Sequence, residues 1–128
     1  MTDQNYNNPT RPELAILKLL WREKTLSARD IHHQIADEFN WTYSTVRTVL
    51  ERMIDKGLVD KESVKGANIY SAEVGKVSLL GRMIKDFSSR VLELDSAPAT
   101  AFFSDSKLLS EDELEQLESV LRKWENEE

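Results

Sequence analysis

The 128-residue sequence contains no cysteine. Disulfide bonds, thiolate metal sites and cysteine nucleophiles are therefore excluded, and a cytoplasmic location is expected. The sequence also lacks an apolar run of 18 residues, and residues 1–10 are polar and rich in asparagine. These features predict a flexible N-terminal tail, with neither a secretory signal nor direct membrane insertion.

Residues for catalysis or metal binding are scarce as well. The four glycines form no phosphate-binding loop of either common spacing. The only histidines, His32 and His33, are adjacent on a predicted helix and would point about 100° apart, which is poor geometry for sharing a metal. We therefore predict that the chain is not an enzyme and needs no cofactor or metal.

The net charge of −6 is unusual for a protein that binds DNA, but it is unevenly distributed. Residues 1–75 contain 10 lysines and arginines against 11 acidic residues, and residues 76–128 contain 7 against 12. The N-terminal part can still present a basic face if Arg47, Arg52, Lys56, Lys61 and Lys65 cluster in space.

The segment 41–57 has the pattern of an amphipathic helix that ends at Gly57. Its apolar residues recur at helical spacing: Val46, Val49, Leu50, Met53 and Ile54. Its other face presents small hydroxyls and guanidinium groups, which are typical of a helix that reads DNA bases: Ser44, Thr45, Arg47, Thr48 and Arg52. The alternative is an ordinary surface helix with a solvated polar face.

The flanking segments favour a winged helix-turn-helix domain over residues 11–75. Thr10 and Ser27 have the sequence context of N-caps for two helices ending near Glu23 and Phe39, and only a short link separates the second from the helix at 41–57. Residues 58–62 and 68–72 then predict a hairpin with its tip at Ser63–Asn68. Its Lys61 and Lys65 are candidates for phosphate contacts, although they could serve solubility alone.

Residues 76–128 predict a helical dimerisation region. Apolar residues first follow the spacing of a coiled-coil seam, a break follows at residues 96–98, and Ser110 begins a capping box for a final helix. The predicted dimer contacts are Val77, Leu80, Ile84, Phe87, Val91, Leu94, Leu114, Leu117 and Leu121. These helices could alternatively fold back on their own chain.

The fold class is therefore mainly α with a small β-hairpin, and two functions fit it. The first is a homodimeric DNA-binding repressor. The second is a winged-helix module that binds another protein through the helix at 41–57, and a steep salt dependence of binding would favour DNA. A small-molecule sensor has no support beyond the space available between the C-terminal helices.

Two segments and the hairpin that ends at Ile69-Tyr70 resemble the penicillinase and methicillin-resistance repressors and the related copper-responsive repressors. These segments are Glu13-Leu14-Ala15-Ile16-Leu17-Lys18-Leu19-Leu20-Trp21 and Thr45-Val46-Arg47-Thr48-Val49-Leu50-Glu51-Arg52-Met53-Ile54-Asp55-Lys56-Gly57. The resemblance implies a homodimeric repressor on a double-stranded operator with TACA and TGTA half-sites.

By the same resemblance, Ser44, Thr45, Arg47 and Thr48 fall where the family contacts DNA, with Ser44 in place of a frequent lysine. Tyr43 would pack or touch the DNA backbone. The absence of cysteine sets aside copper sensing. The resemblance to the β-lactam-responsive branch implies cleavage caused by a membrane-embedded sensor protease, with Ala101–Phe102 as the corresponding bond.

Overall fold

The computed structural model describes residues 8–95, 103 and 105–126. It is mainly helical with one small sheet, which confirms the predicted fold class. The elements in chain order are α1 (Arg11–Glu23), β1 (Thr25–Ser27), α2 (Ala28–Phe39), α3 (Tyr43–Asp55), β2 (Val59–Val64), β3 (Ala67–Ala72), α4 (Lys76–Arg90) and α5 (Glu111–Asn126). They form two compact units that meet in sequence at Val74 and Gly75.

Side-chain caps fix where the helices begin. The Thr10 hydroxyl accepts a hydrogen bond from the Glu13 amide, and the Glu13 carboxylate accepts one from the Thr10 amide, so the predicted capping box of α1 is confirmed. The Ser27 hydroxyl caps α2 by accepting a hydrogen bond from the amide of Asp30. The C-terminal end of α3 is fixed as well, because Gly57 has a φ of 77° and ends the helix where the sequence predicted.

The three strands form an antiparallel sheet in the order β1-β3-β2. The hairpin strands extend to the pair Val64 and Ala67, so the predicted tip at Ser63–Asn68 is too long. Only Lys65 and Gly66 form the turn, both with positive φ (53° and 82°). This geometry gives a two-residue turn whose twist matches the strands, and it places Lys65 at the tip of the hairpin.

The three helices and the hairpin of the first unit contribute side chains to its core. Buried apolar residues lie on α1, α2, α3, the hairpin and the residue before it: Ile16, Leu17, Leu20, Ala28, Ile31, Ile35, Val46, Leu50, Met53, Leu58, Val59 and Tyr70. The Trp21 indole N–H donates to the Val74 carbonyl over 3.0 Å, which ties the last residue of the unit to α1. Because α3 buries one full face in this core, its opposite face is held rigidly at the surface.

The second unit is built on the packing of α4 against α5. Ile84, Leu117 and Leu121 form its buried cluster, with Val77 and Leu114 partly buried against them. A Cβ at Gly81 would lie 3.2 Å from both Leu117 Cδ1 and Trp124 Cζ3, so the two helices approach closely here. At the start of α5, Ser110 and Glu113 form the predicted capping box.

The helix α4 ends earlier than the sequence pattern predicted. Its last residue is Arg90, so Val91 and Leu94 of the predicted seam follow the helix. Glu93 has a φ of 56°, a conformation that stops a right-handed helix. No helix in the described ranges is long and apolar enough to cross a membrane.

Candidate nucleic-acid interface

The connection between α2 and α3 is a tight turn made of residues 40–42. Asn40 adopts a left-handed conformation (φ 52°) that closes α2, and the Thr42 hydroxyl accepts from the Thr45 amide to open α3. His32 Nε2 donates to the carbonyl of Trp41 over 2.8 Å, so α2 also holds the middle of the link. The start of α3 is thereby fixed on the helix that precedes it.

The two faces of α3 separate as the sequence predicted. Val46, Leu50 and Met53 are buried, whereas the five polar residues of the opposite face are all exposed: Ser44, Thr45, Arg47, Thr48 and Arg52. The exposed face combines hydrogen-bonding hydroxyls with two guanidinium groups at the surface of a rigid helix.

Two of the hydroxyls on this face already form hydrogen bonds within the protein. Thr48 Oγ1 donates to the Ser44 carbonyl over 3.1 Å, one helical turn earlier. Thr45 Oγ1 accepts from the hydroxyl of the capping residue Thr42, also over 3.1 Å. These bonds orient both threonine side chains before any ligand binds.

Tyr43, the first residue of α3, is half-buried between charged and aromatic neighbours. The guanidinium carbon of Arg29 lies 4.9 Å from the centre of the Tyr43 ring, and that of Arg47 lies 5.9 Å from it. The His32 ring meets the Tyr43 ring edge-on, with centroids 6.2 Å apart. Sequence reasoning missed Arg29, although its position two residues after the Ser27 cap places it at the start of α2.

The two hairpin lysines have different surroundings. Lys61 Nζ lies 3.2 Å from a carboxylate oxygen of Glu51, so its charge is paired with an acid on α3. Lys65 is exposed at the turn, and no carboxylate of the described residues forms an ion pair with it. Lys65 is therefore the more available of the two for a phosphate.

The Glu51–Lys61 pair lies close to a buried phenol. Tyr70, which is opposite Lys61 in the sheet register, is 2% exposed. Burial raises the pKa of the Tyr70 phenol above its ordinary value, and the nearby Lys61 ammonium partly opposes this effect. Glu51 also lies on the same face of α3 as Arg47 and Thr48, by its spacing of four and three residues. An acid on this face was not anticipated from the sequence.

The two histidines have different surroundings. His33 is exposed, His32 is partly buried, and their ring centroids are 6.0 Å apart. Within residues 8–95, 103 and 105–126, no group of three or more histidines and acids is placed to hold a metal ion.

The predicted dimer contacts divide into two sets. Leu80, Ile84, Leu117 and Leu121 are buried within one chain, and Val77 and Leu114 are partly buried beside them. Phe87, Val91 and Leu94 are exposed to 42%, 60% and 43%, as is Leu92 to 46%. We call Phe87, Val91, Leu92 and Leu94 the exposed apolar segment. The predicted cleavage residues Ala101 and Phe102 lie outside the described residues.

A helix, a short strand, two helices joined by a tight turn and a hairpin define a winged helix-turn-helix protein, here followed by a unit of two packed helices. The sequence model of the penicillinase repressor family matches residues 9–123. The chain therefore belongs to the penicillinase repressor family, which confirms the resemblance found in the sequence.

Individual relatives agree with the family match. The methicillin resistance regulatory protein MecI of Staphylococcus aureus (strain N315) is 26% identical over 111 residues, which cover 87% of this chain and 90% of the relative. The penicillinase repressor of Bacillus licheniformis is 19% identical over 114 residues, which cover 89% of each chain. The penicillinase repressor of Staphylococcus aureus is 21% identical over 109 residues, which cover 85% of this chain and 86% of the relative.

Proposed function

We propose that this protein is a transcriptional repressor that binds double-stranded DNA as a homodimer at an inverted-repeat operator. The observation that carries the proposal is the rigid, exposed face of α3, where Arg47 stands between Ser44 and Thr48 on a helix whose other face is buried. A helix of this kind fits the major groove, where base edges are distinguishable. Membership of a family named for repressors supports the same function.

Within this interface the residues divide by chemistry. Arg47 is the principal base reader, because a guanidinium can donate to both O6 and N7 of guanine. Arg52 and Lys65 are exposed cations that contact phosphates, and the N-terminus of α3 adds a further favourable environment for an anion.

A second copy of the chain is the partner for the exposed apolar segment. Four apolar side chains exposed to between 42% and 60% are unusual on a small unit whose other large apolar residues are mostly covered. Dimerisation would present two copies of α3 to two half-sites, as an inverted repeat requires.

Cleavage between Ala101 and Phe102 is the proposed route of derepression. The bond lies in sequence between α4 and α5, so cutting it would release α5 from covalent attachment to the rest of the chain. Leu117 and Leu121 of α5 cover Ile84 of α4, and their loss would expose the core of the second unit. Co-expression with a sensor protease under inducer, followed by mass spectrometry, tests this step, and an intact chain would contradict it.

The central test is fluorescence anisotropy with a duplex carrying a TACA/TGTA inverted repeat and a scrambled duplex, each at two salt concentrations. The wild type should prefer the repeat by about a thousandfold. Arg47→Ala should lose about 1–3 kcal/mol of specific binding free energy. Arg11→Ala, an exposed arginine on α1, is the matched control. Equal binding of both duplexes by the wild type would contradict operator recognition, and absence of binding would favour a protein-binding module.

A further inference from the structure

The ring of Tyr43 brings together two arginines from different helices. Arg29 is contributed by α2 and Arg47 by α3, with guanidinium carbons 4.9 Å and 5.9 Å from the ring centre. Both distances are within the range in which a cation is attracted to an aromatic face. Among the residues that the structure describes, neither arginine forms an ion pair with a carboxylate.

The ring itself is held from the side of α2. His32 lies one turn after Arg29 on that helix, meets Tyr43 edge-on, and donates to the Trp41 carbonyl just before the cap of α3. Tyr43 therefore has a fixed orientation that does not depend on a bound ligand. A guanidinium stacked on a fixed ring loses less conformational freedom on binding than one that is free in solvent.

Two positive charges therefore lie around one ring, and no acid of the described residues forms an ion pair with either. A polyanion would neutralise both. Arginine suits the task better than lysine, since it can stack on a ring and still direct its N–H groups at phosphate or guanine oxygens.

We propose that Arg29 is a phosphate-binding residue of the DNA interface and that Tyr43 is a positioning residue, which holds Arg47 in the orientation that reads a base. The inference rests on the proposed function, since it assigns roles within the same DNA-binding surface. Of the two roles expected for Tyr43, packing or touching the DNA backbone, the inference assigns packing, with Arg47 as the neighbour of the ring.

The test uses the full-length chain and the two duplexes described above, over a series of salt concentrations. Arg29→Gln should weaken binding to both duplexes by a similar factor, about threefold to tenfold at low salt, and lower the slope of log affinity against log salt by about 0.9. Arg11→Gln removes the same charge from an exposed site on α1 and should leave the slope unchanged.

The positioning role of Tyr43 is tested by comparing a variant that removes the aromatic ring with one that keeps it. Tyr43→Leu should lower the preference for the repeat by about threefold to tenfold, whereas Tyr43→Phe should stay within about twofold of the wild type. The effect of Tyr43→Leu should vanish in an Arg47→Ala background, because the base reader is then already lost. Circular dichroism melting of each variant controls for folding.

Three results would overturn the inference while leaving the repressor function intact. The first is a salt slope for Arg29→Gln equal to that for Arg11→Gln. The second is a loss of preference for the repeat in Tyr43→Phe as large as that in Tyr43→Leu. The third is that the losses of Tyr43→Leu and Arg47→Ala add in the double variant. A wild type that binds neither duplex would instead overturn the proposed function, and the inference with it.

Discussion

The ammonium group of Lys56 lies 2.8 Å and 2.9 Å from the two carboxylate oxygens of Glu13. Glu13 is only 4% exposed, and the same carboxylate caps the Thr10 amide at the start of α1. The pair therefore links the C-terminal end of α3 to the first turn of α1. It fixes the distal end of the helix that we propose reads DNA.

Lys56→Met should destabilise the protein by about 2 kcal/mol, because it leaves the Glu13 carboxylate buried without its cation, while the partial exposure of Lys56 moderates the loss. Urea unfolding measures this change. Lys18→Met, at an exposed position of α1, is the matched control and should change stability by less than about 0.5 kcal/mol. If Glu13→Gln combined with Lys56→Met recovers none of the loss, the buried charge is not its cause.

Glu51→Gln should strengthen DNA binding, because it removes an acid from the exposed face of α3 and frees Lys61 for a phosphate. We expect the salt slope of binding to grow by about 0.9, with a gain at both operator and scrambled duplexes. Glu38→Gln removes an exposed acid from α2 and provides the control. A selective loss at the operator would instead show that Glu51 accepts from a cytosine amino group.

Val91→Asp should yield monomers, because it places a charge in the exposed apolar segment without touching the buried cluster around Ile84. Sedimentation velocity measures the change. Ile84→Asp would be a poor test, since Ile84 is 7% exposed and its substitution would disrupt the packing of α4 on α5. Gln116→Glu adds one exposed negative charge on α5 and should leave the oligomeric state unchanged. Dimers that persist in Val91→Asp would contradict the proposed interface.

Acid should weaken the second unit through Glu113. The Glu113 carboxylate accepts a hydrogen bond from the Ser110 amide, and the Lys76 ammonium lies 3.1 Å from one of its oxygens. These two interactions hold the pKa of the Glu113 carboxyl below its ordinary value. A carboxyl whose pKa is lower in the folded state than in the unfolded state stabilises the fold at pH values above the unfolded pKa. This contribution is lost as the pH falls through the folded pKa.

Urea unfolding between about pH 5 and pH 3 should therefore show a smaller loss of stability for Glu113→Gln than for the wild type. Glu115→Gln, at an exposed position of the same helix, should retain the wild-type profile. A Glu113→Gln profile parallel to that of the wild type would exclude this carboxyl as a source of the pH dependence.

Local signals explain why so much of the fold was predictable. The caps at Thr10, Ser27 and Ser110 each join residues three positions apart, so a short stretch of sequence contains the whole interaction. The separation of α3 into a buried and an exposed face follows from helical periodicity in the same way.

The features that sequence reasoning missed depend on distant residues or leave no pattern. Glu13 and Lys56 are 43 positions apart, and Arg29 meets Tyr43 only after α2 and α3 have packed. The end of α4 was misplaced because Val91 and Leu94 continue the apolar spacing beyond it, and Glu93 adopts its left-handed conformation without glycine as a signal.

The bond from the Thr48 hydroxyl to the Ser44 carbonyl limits what Thr48 can recognise. Its only hydroxyl hydrogen is committed to the helix, so Thr48 has no donor left for a phosphate, which offers only acceptors. It can still accept from the amino group of adenine or cytosine, or pack its methyl group on thymine. The Thr45 hydroxyl is bonded to the Thr42 hydroxyl and to no carbonyl, so it can still donate to a phosphate while Thr42 donates to it. If α3 reads DNA as we propose, Thr48 is therefore expected to face a base and Thr45 a backbone phosphate.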